Sequence, residues 1–141
     1  MSSRALIVLT AIPLVIVLLF LFVPGLSHQP WTPLRIAGAT IAIAGYSLVA
    51  TARVQLGNAF AVMPQAKALV THGLYSRIRN PMYVFVDVTT FGLILAVNLP
   101  WLLLFLAVWI GLQARQAGRE AKVLQEKFGQ AYLDYRKQTW F

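Results

Sequence analysis

The chain has 141 residues, of which 59% are hydrophobic and only 11% are charged. Its mean hydropathy of +0.70 excludes an ordinary soluble domain, which could not bury so much apolar surface in a chain of this length. The formal net charge of +8 fits a protein that meets anionic headgroups or an anionic ligand, and the apolar content argues against nucleic acid as a partner. Cysteine is absent, which excludes disulfides, thiolate catalysis and cysteine-built metal sites.

Two apolar runs of membrane-spanning length occupy the N-terminal part of the chain. Residues 5–23 carry no charge and number 19, close to the roughly 20 that cross a hydrocarbon core. A cleaved signal peptide is the alternative, but the run is long for one, and the Pro-Gly pair that ends it is a poor cleavage site. A second span is predicted over residues 31–51, where Gly38, Ala42 and Gly45 would permit close helix packing.

A longer apolar stretch in the second half of the chain is interrupted near its middle by Asn98-Leu-Pro100. It is too long for one span, and the proline disfavours one long tilted helix, so a helical hairpin with spans over residues 81–97 and 100–114 is predicted. Both halves are short, which favours a thinned or protein-shielded region. The expected fold is therefore all-α: a single membrane domain built as a bundle of four transmembrane helices.

The distribution of basic residues predicts the orientation of this bundle. Eleven of the twelve Lys and Arg residues precede the first span, lie between the second and third, or follow the fourth. By the positive-inside rule these three regions are cytoplasmic, so both termini are expected there. The twelfth, Arg35, lies near the outer end of the second span, where a structural role with its stem snorkelling to the interface is expected.

The last segment, residues 113–135, is predicted to continue the fourth span as an amphipathic cytoplasmic helix. Leu124, Phe128 and Tyr132 recur at helical spacing on one stripe. Gly129 is expected to weaken or end this helix because glycine has a low helix propensity.

The segment 69–83, which leads directly into the third span, is too particular for a simple connector. A turn at His72-Gly73 is expected to offer free backbone amides, and Pro81 at the first helical position would leave other early amides pointing outward. Arginines and tyrosines flank the turn. The combination suits a ligand with a carboxylate or phosphate and a flat ring. A basic membrane collar with aromatic belt residues explains the same residues about equally well.

Three charged side chains outside this segment are also candidates. Arg115 and Glu120 are five positions apart, about 140° around a helix, so they do not form a standard helical pair. In the structural alternative Arg115 anchors the fourth span at the interface and Glu120 pairs with a lysine. Asp87 is a carboxylate within the third span, where acids are functional by default, although structural pairing with Arg35, Arg79 or another polar group is the favoured interpretation.

Several short motifs within residues 69–141 match one known family in order and spacing. Gly73-Leu-Tyr75 is followed by Arg79-Asn-Pro-Met-Tyr83, which opens the predicted third span. Glu120-Ala-Lys-Val-Leu124 precedes Phe128-Gly129, Tyr132 and Tyr135. These motifs resemble the isoprenylcysteine carboxyl methyltransferase family and its relatives among the phospholipid methyltransferases. The chain departs from the family pattern at Leu74, Asn80 and Arg119, where proline, histidine and an acidic residue are frequent.

The resemblance implies an enzyme that transfers a methyl group from S-adenosylmethionine to a lipid-borne nucleophile, either a prenylcysteine carboxylate or a headgroup amine. Such an in-line displacement requires mainly that donor and acceptor be held close, aligned and dry. The resemblance implies Arg115 and Glu120 as catalytic residues and no metal. The cofactor-binding residues that it implies are His72, Gly73, Leu74, Tyr75, Arg79, Asn80, Pro81 and Tyr83.

Functions of other classes stay open on the sequence. The expected partners are the membrane and a lipid or prenylated small molecule. A small membrane scaffold without enzymatic activity would bind no S-adenosylmethionine. A transporter or channel is disfavoured because four short spans with one intramembrane acid offer little polar pathway.

Overall fold

The computed structural model of the protein describes residues 30–56 and 69–140. Within these ranges the chain forms four α-helices and one short 3-10 turn, so the all-α prediction is confirmed. The helices are α1 (Pro33–Leu56), α2 (Pro81–Val97), α3 (Leu102–Phe128) and α4 (Gln130–Gln138), and the 3-10 turn spans Gly73–Ser76. The predicted first span, residues 5–23, lies outside the described residues.

Helix α1 begins at a proline preceded by a capping threonine. The Thr32 hydroxyl accepts a hydrogen bond from Arg35 N–H at 3.3 Å, which satisfies one of the unpaired amides of the first turn. Pro33 holds the first helical position, where its missing N–H costs nothing. The buried residues that follow recur every three or four positions and form one narrow stripe: Gly38, Ala42, Gly45, Val49 and Ala52.

This stripe packs against α2, which runs antiparallel to α1 and contacts it along its length. A Cβ atom at Gly38 would lie 2.6 Å from the backbone nitrogen of Ala96, and one at Gly92 would lie 2.5 Å from that of Ala42. Real Cβ atoms do not approach backbone atoms this closely. The two helices therefore touch backbone to backbone, and the close packing predicted from Gly38, Ala42 and Gly45 is confirmed.

The outer surface of α1 is apolar, as expected of a helix in lipid. Its 24 residues are long and hydrophobic enough to cross a membrane, and only 28% of its most apolar 18-residue window is buried. A core helix of a soluble protein would be mostly covered. Among the described helices, α1 alone is both long enough and apolar enough to span a membrane. Helix α2 is apolar but has only 17 residues. The structure thus supports one span, over the predicted second region, and the bundle of four transmembrane helices is not established.

The break between α2 and α3 occurs where the sequence predicts it. Asn98 adopts the left-handed conformation (φ 57°, ψ 44°), and its N–H bonds back to the carbonyls of Ile94 and Leu95. This arrangement is the usual end of a helix, and asparagine tolerates it better than most residues. The predicted hairpin is therefore present.

Arg35 closes the same end of α2 from the neighbouring helix. Its side chain is 3% exposed, and its Nε donates to the carbonyl of Ala96 at 2.9 Å, one of the carbonyls that a helix C-terminus leaves unpaired. A positive charge there is also favoured by the helix dipole. The structural role expected of Arg35 is confirmed, and its guanidinium also donates to the carbonyl of Pro30, before the helix, at 3.3 Å. The snorkelling of its stem to the interface stays a prediction.

Helix α3 is continuous for 27 residues and joins the predicted fourth span to the predicted amphipathic segment. It ends at Gly129, whose φ of 53° favours glycine. Both the continuation and its end are therefore confirmed. The short helix α4 follows and turns the chain back toward the segment that precedes α2.

Candidate active site

The turn before α2 is held by a side chain of α1. Gly73 has a φ of 61°, and a Cβ at this position would collide with the side-chain amide of Gln55. The same amide oxygen accepts a hydrogen bond from Leu74 N–H at 2.7 Å. The positive φ favours glycine here, and a Cβ at this position would push the Gln55 amide away from Leu74 N–H.

The expectation that the His72-Gly73 turn offers free backbone amides is wrong for the residues that follow it. Leu74 N–H is taken by Gln55, and Tyr75 N–H donates to the carbonyl of His72 at 3.2 Å. These amides stabilise the turn itself. Side chains, more than the backbone, must therefore provide the binding groups of this segment.

The end of the chain fastens the segment from the other side. Tyr135 on α4 donates its hydroxyl hydrogen to the carbonyl of Tyr75 at 2.7 Å, and this bond is buried. Beyond α4, Trp140 N–H donates to the carbonyl of Arg77 at 2.7 Å, and Arg79 N–H donates to the carbonyl of Trp140 at 3.3 Å. The segment before α2 is therefore anchored by α1 and by the C-terminal residues together.

One hydrogen bond joins the predicted cofactor segment to the predicted catalytic helix. The buried Tyr83, in the first turn of α2, donates its hydroxyl hydrogen to Glu120 Oε1 of α3 at 3.0 Å. Gln116, one turn earlier on α3, donates to the same oxygen at 3.1 Å. The two segments singled out in the sequence thus meet at the carboxylate of Glu120.

Two further tyrosines, Tyr75 and Tyr135, are buried in the same region. Burial raises the pKa of Tyr75, and the nearby Tyr135 and Glu120 raise it further. Burial also raises the pKa of Tyr135 to about 12, with Tyr132 adding to the effect and Arg79 opposing it. Tyr75 and Tyr135 therefore keep their protons at neutral pH, and Tyr75 presents a neutral hydroxyl and an aromatic ring near Glu120.

Arg79 contributes a cation to the same region. Its Nε is buried and has no hydrogen-bond partner among the described residues. A guanidinium stays charged at all physiological pH values, and a buried donor without a partner is costly. An anionic group such as a carboxylate would satisfy it.

The remaining residues implied by the resemblance divide into those that lie at this site and those that do not. Asn80 is half-buried and caps α2 through its carbonyl, while its side chain makes no capping bond. Pro81 is buried at the first position of α2. The side chains of His72 and Arg115 are exposed. His72 contacts Tyr75 through its backbone carbonyl, and Arg115 is on a different face of α3 from Glu120.

Sequence reasoning missed the glutamines that support the site. Gln55 holds the turn, and Gln116 orients Glu120. Gln113, one turn before Gln116 on α3, is buried, with 6% of its surface exposed. The spacing of Gln113, Gln116 and Glu120 on one face of a helix that is otherwise apolar there would have indicated them, whereas no local signal marks Gln55.

The apolar, largely uncovered surface of α1 and the acidic, basic and aromatic side chains grouped near Glu120 are typical of a small α-helical membrane protein with a candidate polar site. The family model described as phospholipid methyltransferase matches residues 34–131, which is more than two thirds of the chain. The chain belongs to the phospholipid methyltransferase family. No curated protein shows a significant match to it.

The family match confirms a membrane methyltransferase with a lipid connection. It confirms the resemblance to the phospholipid methyltransferases. It does not show membership of the isoprenylcysteine carboxyl methyltransferases. Members of this family use S-adenosylmethionine as methyl donor. That molecule carries a carboxylate, a sulfonium cation and a flat adenine. The buried Arg79 Nε without a partner, the tyrosine rings and the Glu120 carboxylate fit these three features.

Proposed function

We propose that this protein methylates an amine on a membrane-borne lipid, with S-adenosylmethionine as the methyl donor. The observation that carries the proposal is the hydrogen bond from Tyr83 to Glu120. It joins the segment that carries Arg79 to the helix that carries the acid. When bound, the donor supplies an activated methyl group, and the protein supplies position, charge and a site shielded from water.

The proposed cofactor-binding groups lie on both sides of this hydrogen bond. Arg79 would bind the carboxylate of the donor, because its buried Nε needs an acceptor. The rings of Tyr75 and Tyr83 would lie against the adenine or the sulfonium. Asn80 has a side chain that is not used in capping α2 and can donate and accept hydrogen bonds.

The acids of the site support an amine over a carboxylate as the acceptor. Glu120 lies at the contact between α2 and α3, and Asp87 lies one turn deeper on the face of α2 that carries Tyr83. A negative surface attracts an ammonium and repels a carboxylate. As positive charge moves from sulfur to nitrogen in the transition state, the carboxylate of Glu120 would stabilise it.

The proposal is tested with the purified protein in liposomes that contain phosphatidylethanolamine, supplied with methyl-labelled S-adenosylmethionine. Label in the lipid headgroup that base does not release as methanol is expected, whereas a base-labile methyl ester on added prenylcysteine would show that the acceptor is a carboxylate. Absence of label in both, with no binding of S-adenosylhomocysteine, would favour a scaffold.

Glu120→Gln should lower turnover by about 100-fold or more, because it removes the charge that stabilises the transition state. The glutamine oxygen can still accept the bond from Tyr83, so the fold is retained. Glu126→Gln is the matched control, since Glu126 is an exposed acid of the same helix, and it should leave turnover unchanged. Equal activity of the two variants would contradict the role of Glu120.

The catalytic role of Arg115 stays a prediction, and Arg115→Ala tests it in the same assay. Loss of turnover with intact binding of S-adenosylhomocysteine would support it, and unchanged turnover would remove Arg115 from the site. The cytoplasmic position of both termini is likewise a prediction. Because the chain has no cysteine, Ser2→Cys and Gln138→Cys can each be tested by labelling with a membrane-impermeant thiol reagent.

A further inference from the structure

A second group of polar side chains lies between α2 and α3, next to the cluster of Val49, Tyr83 and Val86 against which Trp109 packs. It consists of Asp87 on α2 and of Trp109 and Gln113 on α3. Asp87 Oδ1, Trp109 Nε1 and both polar atoms of the Gln113 amide are buried without a hydrogen-bond partner among the described residues. The Gln113 side chain lies beside the carboxylate of Asp87, so α2 and α3 bring these groups together.

Burying these polar side chains without hydrogen-bond partners lowers the stability of the fold. A buried polar atom without a partner costs about 1–3 kcal/mol, and a carboxylate in an apolar bundle costs more. The sequence predicts that Asp87 pairs with Arg35, Arg79 or a polar group of another helix. Arg35 bonds to Ala96 at the far end of α2, and the polar group beside Asp87 is the amide of Gln113 on α3. Between Arg35 and Arg53, α1 carries no charged residue that could approach from its side.

The position of the group relative to the proposed methyl donor is fixed by helix geometry. Asp87 follows Tyr83 by four residues and Gln113 precedes Glu120 by seven, so both lie on the same helix faces as that hydrogen-bonded pair. Four residues correspond to a rise of about 6 Å. The group therefore lies about one helical turn further into the apolar part of α2 than the site proposed for the donor.

Resting on the proposed function, we infer that Asp87, with Gln113 and Trp109, forms the site that binds the protonated amine of the acceptor lipid. The Asp87 carboxylate and the Gln113 carbonyl would accept hydrogen bonds from the ammonium. The N–H groups of Gln113 and Trp109 would donate to oxygens of the same headgroup. A lipid headgroup that carries both an ammonium and oxygen atoms matches a site with two hydrogen-bond acceptors and two kinds of N–H donor.

The site also gives the proton of the acceptor a destination. An ammonium nitrogen has no free electron pair, so one N–H bond must break and the proton must pass to the carboxylate of Asp87, leaving a neutral amine and a carboxylic acid. The nitrogen electron pair then forms the new N–C bond while the S–C bond breaks and sulfur keeps its electron pair. The products are a methylated ammonium and a neutral sulfide, so charge and atoms balance.

The first experiment measures binding, independently of turnover. Purified protein in detergent is titrated with dihexanoyl phosphatidylethanolamine, with dihexanoyl phosphatidylglycerol, which lacks the amine, and with S-adenosylhomocysteine. Asp87→Asn should weaken binding of the amine lipid by about 10- to 100-fold, the cost of a hydrogen bond to a charged group, and should leave the other two unchanged. Asp134→Asn is the matched control, since Asp134 is an exposed acid of α4, and it should change none of the three.

Gln113→Leu provides a second variant that separates binding from structure. If the amide serves only the ligand, removing its unpaired atoms should leave thermal stability equal or higher and still weaken binding of the amine lipid. Gln125→Leu, at an exposed position of the same helix, should leave that binding unchanged. Loss of stability in Gln113→Leu with normal lipid binding would identify a structural role and overturn the proposal.

Turnover in liposomes gives a third measurement. Asp87→Asn should be slow at neutral pH and recover as the pH rises toward the point where the amine loses its proton to water. Normal lipid binding and turnover in Asp87→Asn, with a wild-type protein that labels lipid, would overturn this site and leave the proposed function intact. A wild-type protein that binds the amine lipid but neither binds S-adenosylhomocysteine nor transfers label would overturn the proposed function instead.

Discussion

Gly92→Ala is the substitution that the contact between α1 and α2 opposes most directly. A Cβ atom on Gly92 would lie 2.5 Å from the nitrogen of Ala42 and 2.7 Å from the oxygen of Gly38, whereas ordinary contact begins near 3.4 Å. The helices would have to separate by roughly 1 Å, because both obstructing atoms belong to the backbone and cannot turn away.

The separation would weaken the interface beyond the substituted residue. A gap of about 0.5–1 Å forfeits roughly a quarter to a half of each dispersion contact, and overpacking a close interface typically costs about 1–3 kcal/mol. Alanine recovers up to about 1 kcal/mol through its higher helix propensity. We therefore expect Gly92→Ala to lose up to about 2 kcal/mol relative to the wild type, and about 1–3 kcal/mol relative to an alanine at a helical glycine where the Cβ meets no atom.

Thermal unfolding in detergent, followed by tryptophan fluorescence, measures this loss. Gly111→Ala and Gly118→Ala are matched controls, because both are helical glycines of α3 at which a Cβ would meet no atom within 4 Å. They should gain up to about 1 kcal/mol. Gly92→Ala stabilised as much as these two controls would refute the backbone contact.

Three further substitutions test single contacts. Gly73→Ala places a side chain at a φ of 61° and against Gln55, so it should cost about 1–3 kcal/mol and weaken binding of S-adenosylhomocysteine. Arg35→Met leaves the buried carbonyl at the end of α2 unpaired and should cost about 1–3 kcal/mol in the same unfolding assay. Tyr135→Phe should lose about 1–3 kcal/mol with its buried bond to Tyr75. The pKa of Tyr135 is raised to about 12. The stability that its hydroxyl contributes to the wild type should therefore be constant below pH 10 and decline as the pH rises through 12. Tyr135→Phe should lack that decline.

Each of these substitutions has a control elsewhere in the chain. Gly129→Ala isolates the conformational cost, because Gly129 also has a positive φ but would meet nothing within 4 Å. Arg119→Met and Tyr46→Phe remove the same groups from exposed positions. If a control lost as much stability as its test variant, the assigned contact would not be the cause.

The sequence predicts the helices well where a local signal marks their ends. Pro81 and Asn98 bracket α2, and Gly129 ends α3, because each residue has a conformational preference that acts within one turn. The small residues of α1 predict its partner face for a similar reason. Local pattern alone was sufficient for these elements.

The site was predicted in part, because some of its contacts depend on distant residues. Tyr83 and Glu120 were both named from the resemblance, but their hydrogen bond spans 37 positions and has no local signal. The same holds for Gln55 with Leu74 and for the pairing of Trp140 with the segment before α2. Their positions follow only once α1, α2 and α4 are packed together.

Helix α2 has two interfaces of different character, and the difference indicates where a ligand would enter. Its contact with α1 is continuous and formed by backbone atoms, so a small displacement there sacrifices many contacts at once. Its contact with α3 is sparser and contains the unpaired atoms of Asp87, Trp109 and Gln113. A lipid headgroup that separated α2 from α3 would lose little packing and would satisfy those atoms, whereas one that separated α2 from α1 would gain nothing. The proposed acceptor site therefore lies on the side of α2 that can open, and the glycine-lined contact with α1 is the fixed wall behind it.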